Sequence, residues 1–178
     1  IVLLGLFYSG TLLGVLAWSR RILEIIFQLL AASLDIIFPE LSKAKNKDEV
    51  SAIRVRLRKV FIFSFSIPIL FFLLKGVAGD IFVSLLGNDF IDVSTYASSI
   101  LFCLPVMVWS RINIIFSRAL NFEINITKSI SIGAVFSYGV YFLMHRIGYN
   151  PAVLSIVISQ ILIAALTTYS FRKSNESI

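Results

Sequence analysis

Residues 12–38 read LLGVLAWSRRILEIIFQLLAASLDIIF. As a helix rising about 1.5 Å per residue the stretch spans about 40 Å, more than the roughly 30 Å hydrocarbon core of a bilayer. Apolar side chains surround it on nearly every side, so packing one face on a soluble core would not hide them. Yet it carries Arg20, Arg21, Glu24, Gln28 and Asp35. Arg21, Glu24, Gln28 and Asp35 are spaced by three, four and seven and share one face. Arg20 and Glu24 are i,i+4 neighbours that can pair. A charge near the bilayer centre costs at least about 2.5–3.5 kcal/mol, so such residues usually face a bundle interior or a water-filled path. Arg20, Arg21, Glu24 and Gln28 are the candidate binding residues, the two arginines offering donors to an anionic group such as a phosphate. The competing reading is a self-neutralised Arg–Glu pair that only holds helices together. Asp35 is expected to be a solvated helix-end residue.

The rest of the chain repeats the pattern. Its 178 residues are 58% hydrophobic and 15% charged, with a mean hydropathy of +0.91. A soluble domain is roughly 45–50% apolar and about 25% charged. An all-α, polytopic transmembrane bundle of about five full spans plus part of one is expected, as a single domain over 1–178. Ile1 opens an apolar run with no charged segment before it, so no signal peptide is read and the chain is expected to be a piece of a longer one. Ile1–Leu6 reads as a helix end and Tyr8–Thr11 as a turn. The first long helix, 12–38, stops at Pro39. Residues 40–59 form a polar loop that begins an interfacial helix. Further spans are expected over 60–77, 93–116, 129–144 and 152–169, with turns at 87–89 and 145–151. Pro68 and Pro105 fall inside spans and are candidate hinges, or static kinks.

Charge sorts by side. Lys43, Lys45, Lys47, Arg54, Arg56, Arg58 and Lys59 lie in one loop, Arg111, Arg118 and Lys128 in a link, and Arg172 and Lys173 in the tail. Twelve of sixteen basic residues thus fall on one side. The intervening loop carries Asp80, Asp89 and Asp92. The positive-inside rule places loop 40–59 and the C-terminus in the cytoplasm. It also accounts for most of the +6 charge without nucleic acid. Arg20 and Arg21 are the two it does not explain. Arg111 is expected to snorkel to the interface, and Ser155, Ser159 and Gln160 to join helices.

Enzyme chemistry has little to work with. One cysteine, Cys103, and one histidine, His145, exclude an intramolecular disulfide, a cysteine cluster and any site needing two histidines. His145 reads as a solvated turn residue. Asn125 and Asn175 match the glycosylation pattern but fall on the cytoplasmic side. There is no phosphate-binding glycine loop, His-Glu-x-x-His or Gly-x-Ser-x-Gly. The chain is read as no enzyme, with no cofactor and no metal.

The run from Tyr8 to Val50 resembles one lobe of the multidrug/oligosaccharidyl-lipid/polysaccharide exporter superfamily. The likeness rests on Ala17 to Ile22, on Phe38-Pro39-Glu40-Leu41-Ser42, on Ile67-Pro68, on Leu85 to Phe90, and on Ser110 to Lys128. It spans nearly the whole chain through loose motifs. Within the superfamily it fits the flippases of lipid-linked glycans, either the O-antigen/polysaccharide or the lipid II branch. Nine glycines, few for the lipid II branch, favour the polysaccharide one.

The resemblance implies two six-helix lobes around a central cavity that work by alternating access. This chain would be most of the C-terminal lobe, with the other lobe missing. Its substrate would be a polyprenyl-diphosphate-linked oligosaccharide crossing the cytoplasmic membrane, with Arg20 or Arg21 meeting the diphosphate. Partners would be this substrate, membrane lipids and a coupling cation. Alternatives are a cation-coupled multidrug exporter using Glu24, an integral membrane enzyme of glycan assembly, and a membrane subunit with no path of its own.

Overall fold

The computed structural model describes residues 10–44, 47–119, 128, 130–133, 135–136, 139 and 151–175, the side chains of 47, 151–156 and 170–175 excepted. Among these residues all regular structure is helical. In order come α1 (Gly10–Asp35), α2 (Phe38–Lys43), α3 (Lys47–Leu73), α4 (Lys75–Leu86), a 3-10 turn (Asn88–Phe90), α5 (Val93–Leu101), α6 (Leu104–Ala119) and α7 (Pro151–Asn175). The described residues of the span expected over 129–144 are helical. The readings at Ile1–Leu6, Tyr8–Ser9, Asn125 and His145, and most of the 117–128 link and the 145–151 turn, lie outside the described residues.

Four boundaries differ from expectation. Pro39 does not stop the first helix. It sits in the first turn of α2, where a helix needs no N–H from it. Residues 40–59 are not a loop, because α3 runs unbroken from Lys47 through the basic stretch and through Pro68 to Leu73. The sharp bend of that region, 68°, comes at the α3–α4 junction beyond Pro68. The 93–116 span is two helices at 44°, parted at Phe102–Cys103, and Pro105 occupies the first turn of α6.

Contacts fix the running directions. Ser19 meets Val93, and Asp35 meets Arg111, so α1 is parallel to α5 and α6. Phe61 meets Trp109, and Arg54 meets Phe116, so α3 is antiparallel to α6. Trp109 reaches Thr168, while Pro105 and Ile161 line one groove, so α7 is parallel to α6. The C-terminal ends of α1 and α6 and the basic N-terminal half of α3 therefore gather at one end.

Two apolar cores follow. Leu34, Leu41, Ile53, Leu57, Val108 and Ile112 join α1, α2, α3 and α6 at the basic end. Leu23, Ile100, Leu101, Cys103 and Leu104 join α1 to the α5–α6 break. Much apolar surface stays outside: Leu29, Leu73 and Leu85 are 68%, 72% and 74% exposed. So many exposed large apolar side chains suit a lipid or protein environment better than water. The stretch Gly10–Lys43 is long and apolar enough to cross a membrane, and up to three segments pass if each bent pair counts as one span. The apolar part of α7, Val157–Tyr169, is shorter.

Candidate functional site

Helix α1 divides its circumference into three sectors, because each residue advances about 100°. One sector is buried: Val15, Leu16, Ser19, Leu23 and Leu34. A second is apolar and exposed, with Trp18, Ile25, Leu29 and Ile36. The third holds Arg21, Glu24, Gln28 and Asp35, flanked by Arg20, with all but the half-buried Glu24 exposed. The structure thus keeps the sequence-derived stripe on one face and leaves that face open.

Its charges are arranged locally. Arg20 Nε donates to Glu24 Oε1 at 2.8 Å, and Arg21 Nη1 lies 4.0 Å from Glu24 Oε2. One carboxylate therefore faces two guanidinium groups. The cluster has one positive charge more than it has negative ones, and the Arg21 side chain is 65% exposed. All three residues belong to α1, so the Arg20–Glu24 pair does not tie helices to one another. The arginines lie about 15 Å along α1 from Gly10, about a third of the way along Gly10–Lys43.

The interhelical tie lies further along the stripe. Arg111 of α6 grips Asp35 with Nη2 at 2.6 Å from Oδ2 and 2.8 Å from Oδ1, and with Nε at 3.1 Å from Oδ1. This forked grip needs the planar guanidinium. Asp35 is thus an exposed residue at the end of α1, as expected, and it is also paired with α6 through Arg111. Spacing alone did not pair them, since they are 76 positions apart.

A second polar node joins α6 to α7. Thr168 accepts from Trp109 Nε1 at 2.9 Å and from Asn113 Nδ2 at 3.0 Å, and donates its own proton to the Ala164 carbonyl at 2.7 Å. The hydroxyl's donor and both acceptor positions are all used. Thr168 was not singled out in the sequence, where a threonine in an apolar run carries no distinguishing signal. Ser159 is buried on α7, and Gln160 is half-buried beside it.

Beside this node α3, α6 and α7 enclose an open apolar groove of about 370 Å³ lined by Phe61, Phe65, Pro105, Trp109, Ile161 and Ala164. A second hollow of about 390 Å³ shares Trp109 and Ala164 and extends to Thr168 and Tyr169. Pro105 therefore lines the groove near the 44° break, while Pro68 is fully buried within α3. Neither hollow includes Arg20, Arg21, Glu24 or Gln28. Among the described residues, no group of three His, Cys, Asp or Glu side chains is placed to hold a metal ion. Compared with known protein families, curated proteins and solved structures, the chain matches none.

Proposed function

We propose that the chain is a polytopic membrane domain of a flippase, one lobe of a two-lobe transporter of the exporter superfamily it resembles. It would carry a polyprenyl-diphosphate-linked oligosaccharide across the cytoplasmic membrane by alternating access. The observation that carries this reading is the open polar face of α1. Arg20 and Arg21 share a single carboxylate about a third of the way along a segment long enough to span. An unbalanced guanidinium in that setting is costly unless an anion or water meets it, and a diphosphate is matched to the fork of arginine. Gln28 adds a neutral donor and acceptor one turn along.

The running directions support several crossings. Helices α1, α5–α6 and α7 run one way and α3 the other, and the described residues at 128–139 between α6 and α7 are helical. The basic residues of α3 and α6 gather at one end, which the positive-inside rule assigns to the cytoplasm.

The test is translocation of the lipid-linked glycan in cells by the full-length protein. Arg20→Ala with Arg21→Ala is expected to abolish it while membrane expression is unchanged. Normal translocation in that double variant would sink the reading and leave Arg20–Glu24 as a local pair. A cation-coupled exporter of the same fold is the second reading, favoured by Glu24 touching both arginines. In that case Glu24→Gln abolishes uptake-driven efflux of a cationic drug, and the arginine variants do not.

A further inference from the structure

The groove between α3, α6 and α7 has a chemical gradient along it. Phe61 and Phe65 of α3 form one wall, with the Phe61 ring edge-on to Phe65 and tilted against Trp109, ring centroids 5.2 Å apart in each pair. Beyond the lining residues, one and two turns along α3 towards the basic end, come Arg58 and Arg54. The spacings four, three and four put Arg54, Arg58, Phe61 and Phe65 on one face of α3. The Arg54 guanidinium lies over the Phe116 ring of α6, 5.9 Å from its centroid, so this face is turned towards α6 there. Arg58 is exposed and has no carboxylate partner among the described residues, whereas Arg56 on another face is paired with Glu40.

The groove also opens to the outside. Phe65, Trp109 and Ile161 are all exposed, and Ile62 and Ile69 of α3 continue the apolar surface. Among the described residues of the stretch through Gly133, the approach to α7 is not at Ile161. That stretch meets α7 at Ile163, roughly 200° around the helix from Ile161.

We infer that this groove is the seat of one membrane phospholipid with an anionic headgroup. Its hydrocarbon chain lies between Phe61, Phe65, Pro105 and Ile161, and its phosphate meets Arg58, with Arg54 behind. An apolar trough with an exposed guanidinium about one turn beyond Phe61, without a carboxylate partner among the described residues, complements a single amphiphile of this kind. The guanidinium gives charge-assisted hydrogen bonds to phosphate, and its stem packs on the apolar wall. The inference does not depend on which substrate the stripe on α1 binds.

The chain has two tryptophans, and Trp18→Phe leaves Trp109 as the sole fluorophore, inside the groove. The whole chain, reconstituted in vesicles, is titrated with phosphatidylglycerol or phosphatidylcholine carrying brominated chains. Trp109 is expected to be quenched by both, with about fivefold preference for phosphatidylglycerol, the effect of about one basic contact. Arg58→Gln, a change at an exposed side chain, is expected to bring the preference to about one. Ala164→Phe fills the trough and is expected to weaken quenching by both lipids while circular dichroism shows the helices intact. Equal quenching by the two lipids overturns the inference, as does a preference that survives Arg58→Gln. So does protection of Trp109 from every lipid, which would mean that protein covers the groove. Relief of quenching by one equivalent of a polyprenyl phosphate would assign the groove to that lipid instead.

Discussion

Thr168 has one hydroxyl and three partners, and two of them depend on it as acceptor. Valine is nearly the same shape but accepts nothing. Thr168→Val would leave the Trp109 and Asn113 donors unmet, and Asn113 is buried. A buried group stripped of its partner costs about 1–3 kcal/mol. The neighbouring Thr167→Val is the control, since Thr167 only donates to the Ala164 carbonyl, which keeps Thr168. Thermal unfolding in detergent is expected to fall several degrees for Thr168→Val and little for Thr167→Val. Equal melting of the two variants would show that the node contributes nothing. Such partners were illegible in the chain because they lie 55 and 59 positions from Thr168. By contrast the Arg20–Glu24 contact was legible, because helical periodicity alone brings i and i+4 together. What the sequence left open was whether that pair closes on itself between helices or stands on an open face.

Breaks decide the elements. Helix α4 ends at Gly87, whose φ of 97° and ψ of 169° lie in a region essentially reserved for glycine. A Cβ there meets open space, so the cost of Gly87→Ala is backbone strain alone, about 1–3 kcal/mol. Gly76 lies inside α4 with equally open space around it. Gly76→Ala should therefore stabilise, by up to about 1 kcal/mol, since alanine is the better helix former. The two variants are expected to shift the melting temperature in opposite directions, and a shared sign would contradict the assigned end of α4. The turn at 87–89 was readable because glycine and asparagine mark it. The helix over Lys47–Lys59 is legible only in its second half, as the start of an interfacial helix, because charge resembles solvent exposure. Ile53 and Leu57, buried against α1 and α6, hold it in place. Of the prolines, only Pro39 departs from its reading as a helix stop, and Pro105 lies beside the 44° break. Pro39 and Pro105 begin helices, since first-turn positions need no N–H, and α3 continues through Pro68.

At the scale of the molecule, charge and direction agree. Helix α3 extends about 40 Å, with the Arg54–Lys59 stretch in its first half and Asp80, Asp89 and Asp92 beyond its far end. If the basic end is cytoplasmic, Ser51→Cys and Asp89→Cys in the full-length protein label differently. Both positions are exposed, and native Cys103 is only 2% exposed and adds little background. An impermeant maleimide applied to intact cells is expected to modify Asp89→Cys and to reach Ser51→Cys only after permeabilisation. The reverse pattern would invert the orientation, and labelling of both would argue against a span between them.

The sequence by itself determined the helical class, the excess of apolar surface, the polar face of α1 and the sorting of basic residues, because each follows from local periodicity and composition. Tertiary structure alone decided that Asp35 takes Arg111, that Thr168 joins α6 to α7, and that Phe61 and Phe65 meet Trp109 in one groove. The contacts among these, Asp35 with Arg111, Thr168 with Trp109 and Asn113, and Phe61 with Trp109, join residues far apart in the chain, whereas Arg58 is placed beside the groove by its spacing along α3 alone. Such contacts depend on how helices of set length and direction lie against one another, and no spacing within a single helix encodes that.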